Sequence, residues 1–435
     1  MDLHTLYNIY LQNPFICTDT RKIKEGCLFF ALQGENFDGN KFAEEALTKG
    51  ALNAVVSDTN LEGEHYIHVA DTLQTLQELA NYHRRHFNIP FIAITGSNGK
   101  TTTKELITTV LSAKYNVHST DGNYNNHIGV PLTILSISQH TEMAVIEMGA
   151  NHIGEIAQLC VIAMPTHGLI TNIGRAHLEG FGSIEGVKKA KGELFDYLKK
   201  NNGHVFVNND DTALRDLSAN IIEKTTYGFK EVENPNLLFT YEADTANVGF
   251  SIKNENSGVL IHSNMFGEYN AANVAAAYVV GQHFNVDSHN IIQSLSSFIP
   301  GSNRSELVSY AGSTVIKDAY NANPSSMEFA LLAFAERYHD GLVILGAMKE
   351  LGSESESAHQ HIINVVEKSG LKKAFLIGIE FTSAFANMNE NFLTNFILVD
   401  NIEELKKKWD WNDHTGKAIL LKGSRAMHLE RLLDD

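Results

Sequence analysis

Residues 91–104, Phe-Ile-Ala-Ile-Thr-Gly-Ser-Asn-Gly-Lys-Thr-Thr-Thr-Lys, run from an apolar stretch through a glycine-punctuated turn into a lysine and a threonine cluster. The run Phe91 to Ile94 reads as a buried strand and Lys104 to Ala113 as a helix, which places the turn at a helix N-terminus. There, unpaired N–H groups and the positive end of the helix dipole attract phosphate. Gly96 and Gly99 let the backbone approach the phosphates, and Thr95, Ser97, Asn98 and Thr102 complete the cradle. Lys100 adds positive charge, and the Thr101 hydroxyl is suited to Mg²⁺. The spacing is G-x-x-G-K-T, because Ile94 stands where the commoner, longer pattern has glycine. An ordinary strand–turn–helix corner is the competing reading; strand, turn and helix in this order favour a nucleotide.

At 435 residues the chain calls for about two to four domains, and its 43% hydrophobic content allows well-buried cores. A net charge of −17 argues against non-specific binding to nucleic acid or to anionic membrane surfaces, while leaving anionic small substrates open. The three cysteines, Cys17, Cys27 and Cys160, show no CxxC spacing, so neither a disulfide framework nor a thiolate zinc site is indicated. Met-Asp-Leu-His-Thr at the N-terminus does not open a secretion signal, and no apolar run of about 18 residues occurs. A soluble, cytoplasmic protein without an integral membrane segment is expected.

Working outward from the loop, residues 1–88 mix short helices with strands at Cys27 to Leu32 and Ala54 to Ser57, a small α/β unit. Pro90 then disfavours helix just before the phosphate-binding strand, which sets a boundary near 88. Residues 89–299 alternate strands (Ala144 to Ile146, Gly168 to Thr171, His204 to Val207) with helices such as Ile184 to Lys199, the pattern of a mostly parallel sheet. Alternating apolar residues between Leu237 and His262 predict an antiparallel hairpin, followed by an alanine-rich helix from Ala271 to Phe284. Ile299-Pro300-Gly301 marks the second joint. In residues 300–435, strands at Thr314 to Lys317, Leu342 to Leu345, Ala374 to Ile377, Phe396 to Val399 and Ala418 to Leu421 alternate with helices. The fold class is therefore α/β with three domains, the third open, doubly wound and Rossmann-like, where ligands meet the carboxyl ends of strands.

Several polar positions fall at such ends. Glu147 directly follows an apolar strand and suits a hard cation beside a phosphate loop, although solvated or capping carboxylates are common there. His177 lies in a glycine-rich loop, and Lys191 on a helix with a basic face; taken alone, each reads as structural. The segment Asn123-Tyr-Asn-Asn-His-Ile-Gly-Val-Pro, with Asn125, Asn126 and His127, suits a polar ligand or a turn-rich loop. Asp318 and Asn321 close another strand, and Asp318 is placed to accept from ribose hydroxyls. Arg304, near the second joint, is a cation suited to a transferring phosphate if the domains close.

Taken in order, Thr-Gly-Ser-Asn-Gly-Lys-Thr-Thr, Glu147, Gly-Arg-Ala-His177, Lys191-Gly-Glu, Asn270, Arg304, Asp318 and Lys422-Gly-Ser-Arg resemble the Mur ligase family over essentially the whole chain. The resemblance implies three domains, a central phosphate-loop ATPase-type sheet among them, closing around ATP to form an amide bond through an acyl phosphate. It implies catalytic roles for Lys100, Lys191, His177 and Arg304, nucleotide contact by Asn270, Asp318 and Asn321, and Mg²⁺ held by Thr101, Glu147, His177 and a carbamylated Lys191. The blocks carrying Thr20, Arg21, Leu32, Gly34 and Asp38 resemble the family's uridine-nucleotide domain. Asn125, Asn126, His127 and Ser424 fall in blocks resembling the members that join D-alanyl-D-alanine to UDP-N-acetylmuramoyl-tripeptide, so those two molecules are the expected partners, and a monomer is expected. The Asp-Asn-Pro-Arg type motif typical of the ligases adding the third residue does not occur. Such a ligase, and a nucleotide-binding switch without ligation, are the alternatives. Tyr269 stands where histidine is common, and Ala347 and Lys349 where aspartate and leucine are.

Overall fold

The computed structural model describes residues 2–175, 178–231, 235–241, 247–252, 260–301, 303–388, 392 and 394–434. The strand Phe91–Thr95 is fully buried and lies inside a nine-stranded sheet, between Met143–Glu147 and His167–Ile170, parallel to both. Its side chains alternate between two cores, as a period of two requires. Phe91 and Ala93 enter one with Ile156, Leu194 and Leu198. Ile92 and Ile94 enter the other with Leu106, Ile107 and Val274. Helices cover both faces, which is why these strands are apolar throughout rather than half polar.

The helix after the loop spans Lys100–Ser112, four residues longer at its start than the sequence reading. Gly99 supplies the reason: at φ +78° it turns the chain so that its carbonyl accepts from Thr103 N at 2.8 Å, and the threonine cluster becomes the first helical turn. The helix Ala271–His283 packs against it, and its small residues permit close approach. A Cβ at Gly281 would stand 2.5 Å from Val110 Cγ1. Beyond His204–Asn208 the sheet continues through Lys224–Gly228 and Leu237–Tyr241, both parallel, into Asn247–Ile252 and Leu260–Phe266, which are antiparallel.

The N-terminal sheet has four parallel strands in the order Ile16–Cys17, Leu28–Phe30, Asn53–Val56, Tyr66–His68. The helices Leu3–Gln12 and Thr72–Arg84 share an apolar core with the central unit. Arg84 reinforces that seam from a buried position, donating to Ala163 O at 2.8 Å and Met164 O at 3.0 Å while its guanidinium lies 3.6 Å from the Phe91 ring centre. The C-terminal sheet has six strands, with Ala418–Lys422 inserted between Ser313–Asp318 and Leu342–Gly346. Glu306–Tyr310 pairs antiparallel at one edge.

At the sheet end opposite the phosphate loop, His167, His204 and His283 crowd together, with ring centres 4.3 Å apart for His204 and His283 and 5.2 Å for His167 and His283. Burial, and then the neighbouring imidazoles, push His167 down to about 3 and His204 to about 4; burial also lowers His283. The unfolded chain therefore takes protons first. The cluster's stability contribution is whole above pH ~6.5 and is lost as pH falls from there toward the lowered values. Urea unfolding at pH 7.5 and pH 5 is expected to show His167→Phe losing about 1–2 kcal/mol less than the parent on acidification. Parallel losses would mean that His167 does not titrate in this way.

Candidate active site

The phosphate loop is tethered by amides rather than charges. Asn98 N donates to Asn172 Oδ1 at 3.1 Å, and Asn98 O accepts from Thr171 Oγ1 at 2.6 Å and Asn172 Nδ2 at 3.0 Å. Ser97 Oγ and Gly174 exchange two further bonds. Lys100 Nζ folds back onto Gly96 O at 2.8 Å and Ser97 O at 3.2 Å, bonds that a phosphate oxygen can replace. The loop leaves the helix N-terminus open to a cavity of about 1350 Å³ lined by Ser97 to Thr102, Glu147, Arg304 and Asp318.

Glu147 is 1% exposed and ends the strand adjoining the phosphate-loop strand, in register with Ile94. Asn125 Nδ2 donates to its Oε1 at 2.7 Å, while its buried Oε2 has no hydrogen-bond partner. Thr95 Oγ1 and Arg304 Nε are likewise buried and unpartnered. Lys191 is 1% exposed, with Nζ 3.3 Å from Ala150 O. Burial, and then the charge of Lys100, push it down to about 7, so much of it is a neutral amine at neutral pH. Among the described residues no three His, Cys, Asp or Glu side chains form a ready-made cation cage. An orphaned carboxylate oxygen with the Thr101 hydroxyl fits Mg²⁺, which commonly takes one or two protein oxygens and completes its shell with water and substrate phosphates.

The opposite wall comes from the C-terminal sheet. Asp318 and Lys422 are register partners at the carboxyl ends of adjacent strands and form an ion pair of 2.5 Å. Asn323 Nδ2 donates to Asn98 Oδ1 at 2.6 Å, bridging this unit to the phosphate loop, and its own Oδ1 caps the helix Pro324–Arg337. Asn270 bonds Ser305 Oγ at 3.2 Å, and Asn273 links Asn270 to Thr103. Tyr269, unusual for the pattern, puts its hydroxyl 2.9 Å from the same Ser305 oxygen; burial, and then Asp318, raise its ionisation well above the ordinary tyrosine range. Asn321 turns its carbonyl onto Ala322 N.

Three matches lie along this frame: residues 14–84 to the Mur ligase family catalytic domain, 94–281 to the Mur ligase middle domain, and 303–425 to the Mur ligase glutamate ligase domain. The UDP-N-acetylmuramoyl-tripeptide--D-alanyl-D-alanine ligase of Bacillus subtilis (strain 168) is 36% identical, covering 97% of this chain and 92% of its own. This chain belongs to the Mur ligase family. The ligase of the same description from Escherichia coli (strain K12) is 33% identical, covering 96% and 92%. Among solved structures, MurF from Acinetobacter baumannii superposes with a TM-score of 0.86 at 29% identity, covering 96% of this chain and 92% of that one. MurF ligase from Thermotoga maritima, in complex with ADP, gives 0.84 at 28% identity, covering 97% and 96%.

Against the Mur ligase pattern, the structure gathers Ser97, Asn98, Gly99, Lys100, Thr101, Thr102, Glu147, Asn270, Arg304, Asp318 and Asn321 around one cavity, with Asn125, Asn126 and His127 at its rim. Thr95, Gly96 and Lys191 lie behind its surface. His177 lies outside the described residues. Ser424 is buried, its Oγ accepting from Lys349 N at 3.2 Å. Thr20, Arg21, Leu32, Gly34 and Asp38 sit apart on the N-terminal unit, where Arg21 pairs with Asp19 at 2.7 Å and Asp38 caps the turn Gly39–Phe42. Lys22 Nζ reaches Tyr124 Oη at 3.4 Å, linking that unit to the Asn123 segment. Sequence reasoning passed over Asn172 and Asn273, and named Asn323 and Lys422 only within their blocks, with no role of their own. Asn270 and Asn273 are three apart where the helix Ala271–His283 begins, a spacing that places both on one face.

Gly96 stands at φ +140°, and a Cβ there would lie 2.0 Å from Thr171 Oγ1. Gly96→Ala therefore adds about 1–3 kcal/mol of backbone strain and displaces the tether of Asn98. ADP affinity measured by titration calorimetry is expected to fall at least about tenfold. Unchanged affinity would remove this loop from nucleotide binding.

Proposed function

We propose that this chain joins D-alanyl-D-alanine to UDP-N-acetylmuramoyl-tripeptide with conversion of ATP to ADP and phosphate, yielding the pentapeptide nucleotide of cell-wall synthesis. The observation that carries the reading is the cavity itself. A phosphate loop, a buried carboxylate with a free oxygen and an unpartnered arginine nitrogen converge from two sheets of a chain with near full-length likeness to such ligases. The tripeptide's terminal carboxylate oxygen attacks the γ-phosphorus, the bond to the ADP oxygen breaks, and an acyl phosphate forms. The dipeptide amine then attacks the acyl carbon, phosphate leaves, and the amine loses a proton.

Lys100, Arg304 and the N–H groups of Gly96 to Thr102 hold the charge of the moving phosphoryl group, where electrostatics and positioning supply most of the catalysis. Asn270, Asp318 and Asn321 take the nucleoside, Asp318 through ribose hydroxyls. Thr20, Arg21, Leu32, Gly34 and Asp38 take the uridine diphosphate end, and Asn125, Asn126, His127 and Ser424 the peptide groups. Thr101, Glu147, His177 and carbamylated Lys191 would hold Mg²⁺, which would supply positive charge between the two anions. The pKa of about 7 supports the carbamate: a neutral Lys191 amine adds to CO₂ and releases a proton, leaving an anionic oxygen ligand in its place. The spans 1–88, 89–299 and 300–435, each built on one main sheet, act as the three domains. Action as a monomer in the bacterial cytoplasm belongs to the same proposal.

The decisive assay is ADP release with ATP, Mg²⁺ and the tripeptide nucleotide, with product mass. Release that needs D-alanyl-D-alanine is expected. Release only with a free amino acid on the dipeptide nucleotide would move the chain one ligation earlier, and hydrolysis indifferent to every peptide would reject ligation.

Lys191→Ala is expected to lower kcat by about a hundredfold to a thousandfold, with partial recovery in added acetate. ¹³C-bicarbonate should give a carbamate resonance in the parent that this variant lacks. Near-normal turnover in the variant would reject the carbamate.

A further inference from the structure

Two guanidinium groups stand over a single ring at the carboxyl end of the C-terminal sheet. The Arg304 guanidinium carbon is 3.7 Å and that of Arg425 is 5.4 Å from the centre of Tyr320, so the two charges are no farther apart than about 9 Å. Arg304 faces the phosphate loop, and its charge is felt by Lys100. Arg425 is exposed, directly follows the buried Ser424, and has no carboxylate partner among the described residues. Other cations of this sheet are already matched: Lys317 by Glu306, Lys349 by Glu380 and Lys422 by Asp318. Arg337 also borders the cavity, but it ends a helix of 14 residues, about 20 Å from the Asn323 cap that touches the phosphate loop.

We propose that Arg425 receives the free carboxylate of the incoming dipeptide, with Tyr320 as the spacer that sets the distance from that carboxylate to the phosphoryl site at Arg304. The inference rests on the ligation reading and names the residue that selects the amine substrate. An extended dipeptide spans about 7 Å from amine to carboxylate, and a single amino acid about half that. A dipeptide can therefore place its amine beside the acyl phosphate while its carboxylate makes a paired contact with Arg425. A free amino acid held at Arg425 reaches only about half as far. Two cations beside one ring repel each other, and two separate anions, a phosphoryl group and a carboxylate, relieve that repulsion.

The test compares D-alanyl-D-alanine with D-alanyl-D-alaninamide, which lacks the carboxylate charge, in the parent, Arg425→Ala and Arg425→Lys. The parent should prefer the acid by about tenfold to a hundredfold in kcat/KM. Arg425→Ala should bring that preference close to one by raising KM for the acid, with KM for ATP and for the tripeptide nucleotide unchanged. Arg425→Lys should keep part of it. A parent indifferent to the amide, or an Arg425→Ala enzyme that keeps the acid preference while kcat falls for both acceptors, overturns the proposal. No ADP release by the parent with either acceptor instead rejects ligation of the dipeptide altogether, so the two failures are distinct.

Discussion

A carboxylate oxygen buried without a partner is the constraint around which this molecule is built. Glu147 Oε2 sits in an interior that also holds the buried amine of Lys191, with Lys100 close by. Uncompensated charge in such a place costs several kcal/mol, so the protein tolerates it only where a ligand completes the pairing. The strand pairing enforces the position: Glu147 is locked opposite Ile94, one residue before the loop begins at Thr95 and Gly96. A hard cation at Glu147 is thereby brought beside whatever phosphate the helix N-terminus binds.

The two flanking units are joined to this centre by different physics. The N-terminal unit shares an apolar core with the central sheet, and Arg84 closes the seam through two carbonyls, those of Ala163 and Met164. The C-terminal unit takes Phe266 and Tyr269 of the central unit into its apolar core, but it meets the phosphate loop itself through a polar bond, Asn323 to Asn98, with Arg175 to Ser325 nearby. Each such bond is worth about 1 kcal/mol net, because water can replace it. The polar bonds at the phosphate loop are therefore contacts that exchange readily, which is what a site that must admit ATP and release ADP needs.

Much of this was legible in the chain because the determinants are local. Phe91 to Lys104 identifies itself through apolar residues, glycines, a lysine and threonines in one run, and the strands of the C-terminal unit are apolar runs of four or five residues. The two-residue strand Ile16–Cys17 and the edge strand Glu306–Tyr310 escaped, the first because two residues carry no period, the second because tertiary pairing with Ser313–Asp318 defines it. The tethers Asn172, Asn273 and Asn323 also escaped as individuals. An asparagine in a turn has the same local signature whether it caps its own helix or reaches across a domain seam, and Asn323 does both.

The electrostatics resolve an apparent conflict between composition and ligand. A chain of net charge −17 is a poor host for polyanions at long range. Screening confines that field to about 8 Å at physiological salt, so short-range contacts decide binding within the cavity. There the loop walls are neutral amides from Asn98, Asn172, Asn270 and Asn273, which donate hydrogen bonds without adding negative charge. The cations Lys100, Arg304 and Arg425 stand along one path from the phosphate loop to the end of the C-terminal sheet. The acidic exterior limits the capture of long polyanions, while Lys100 and Arg304, beside the phosphate loop, meet a small one at short range.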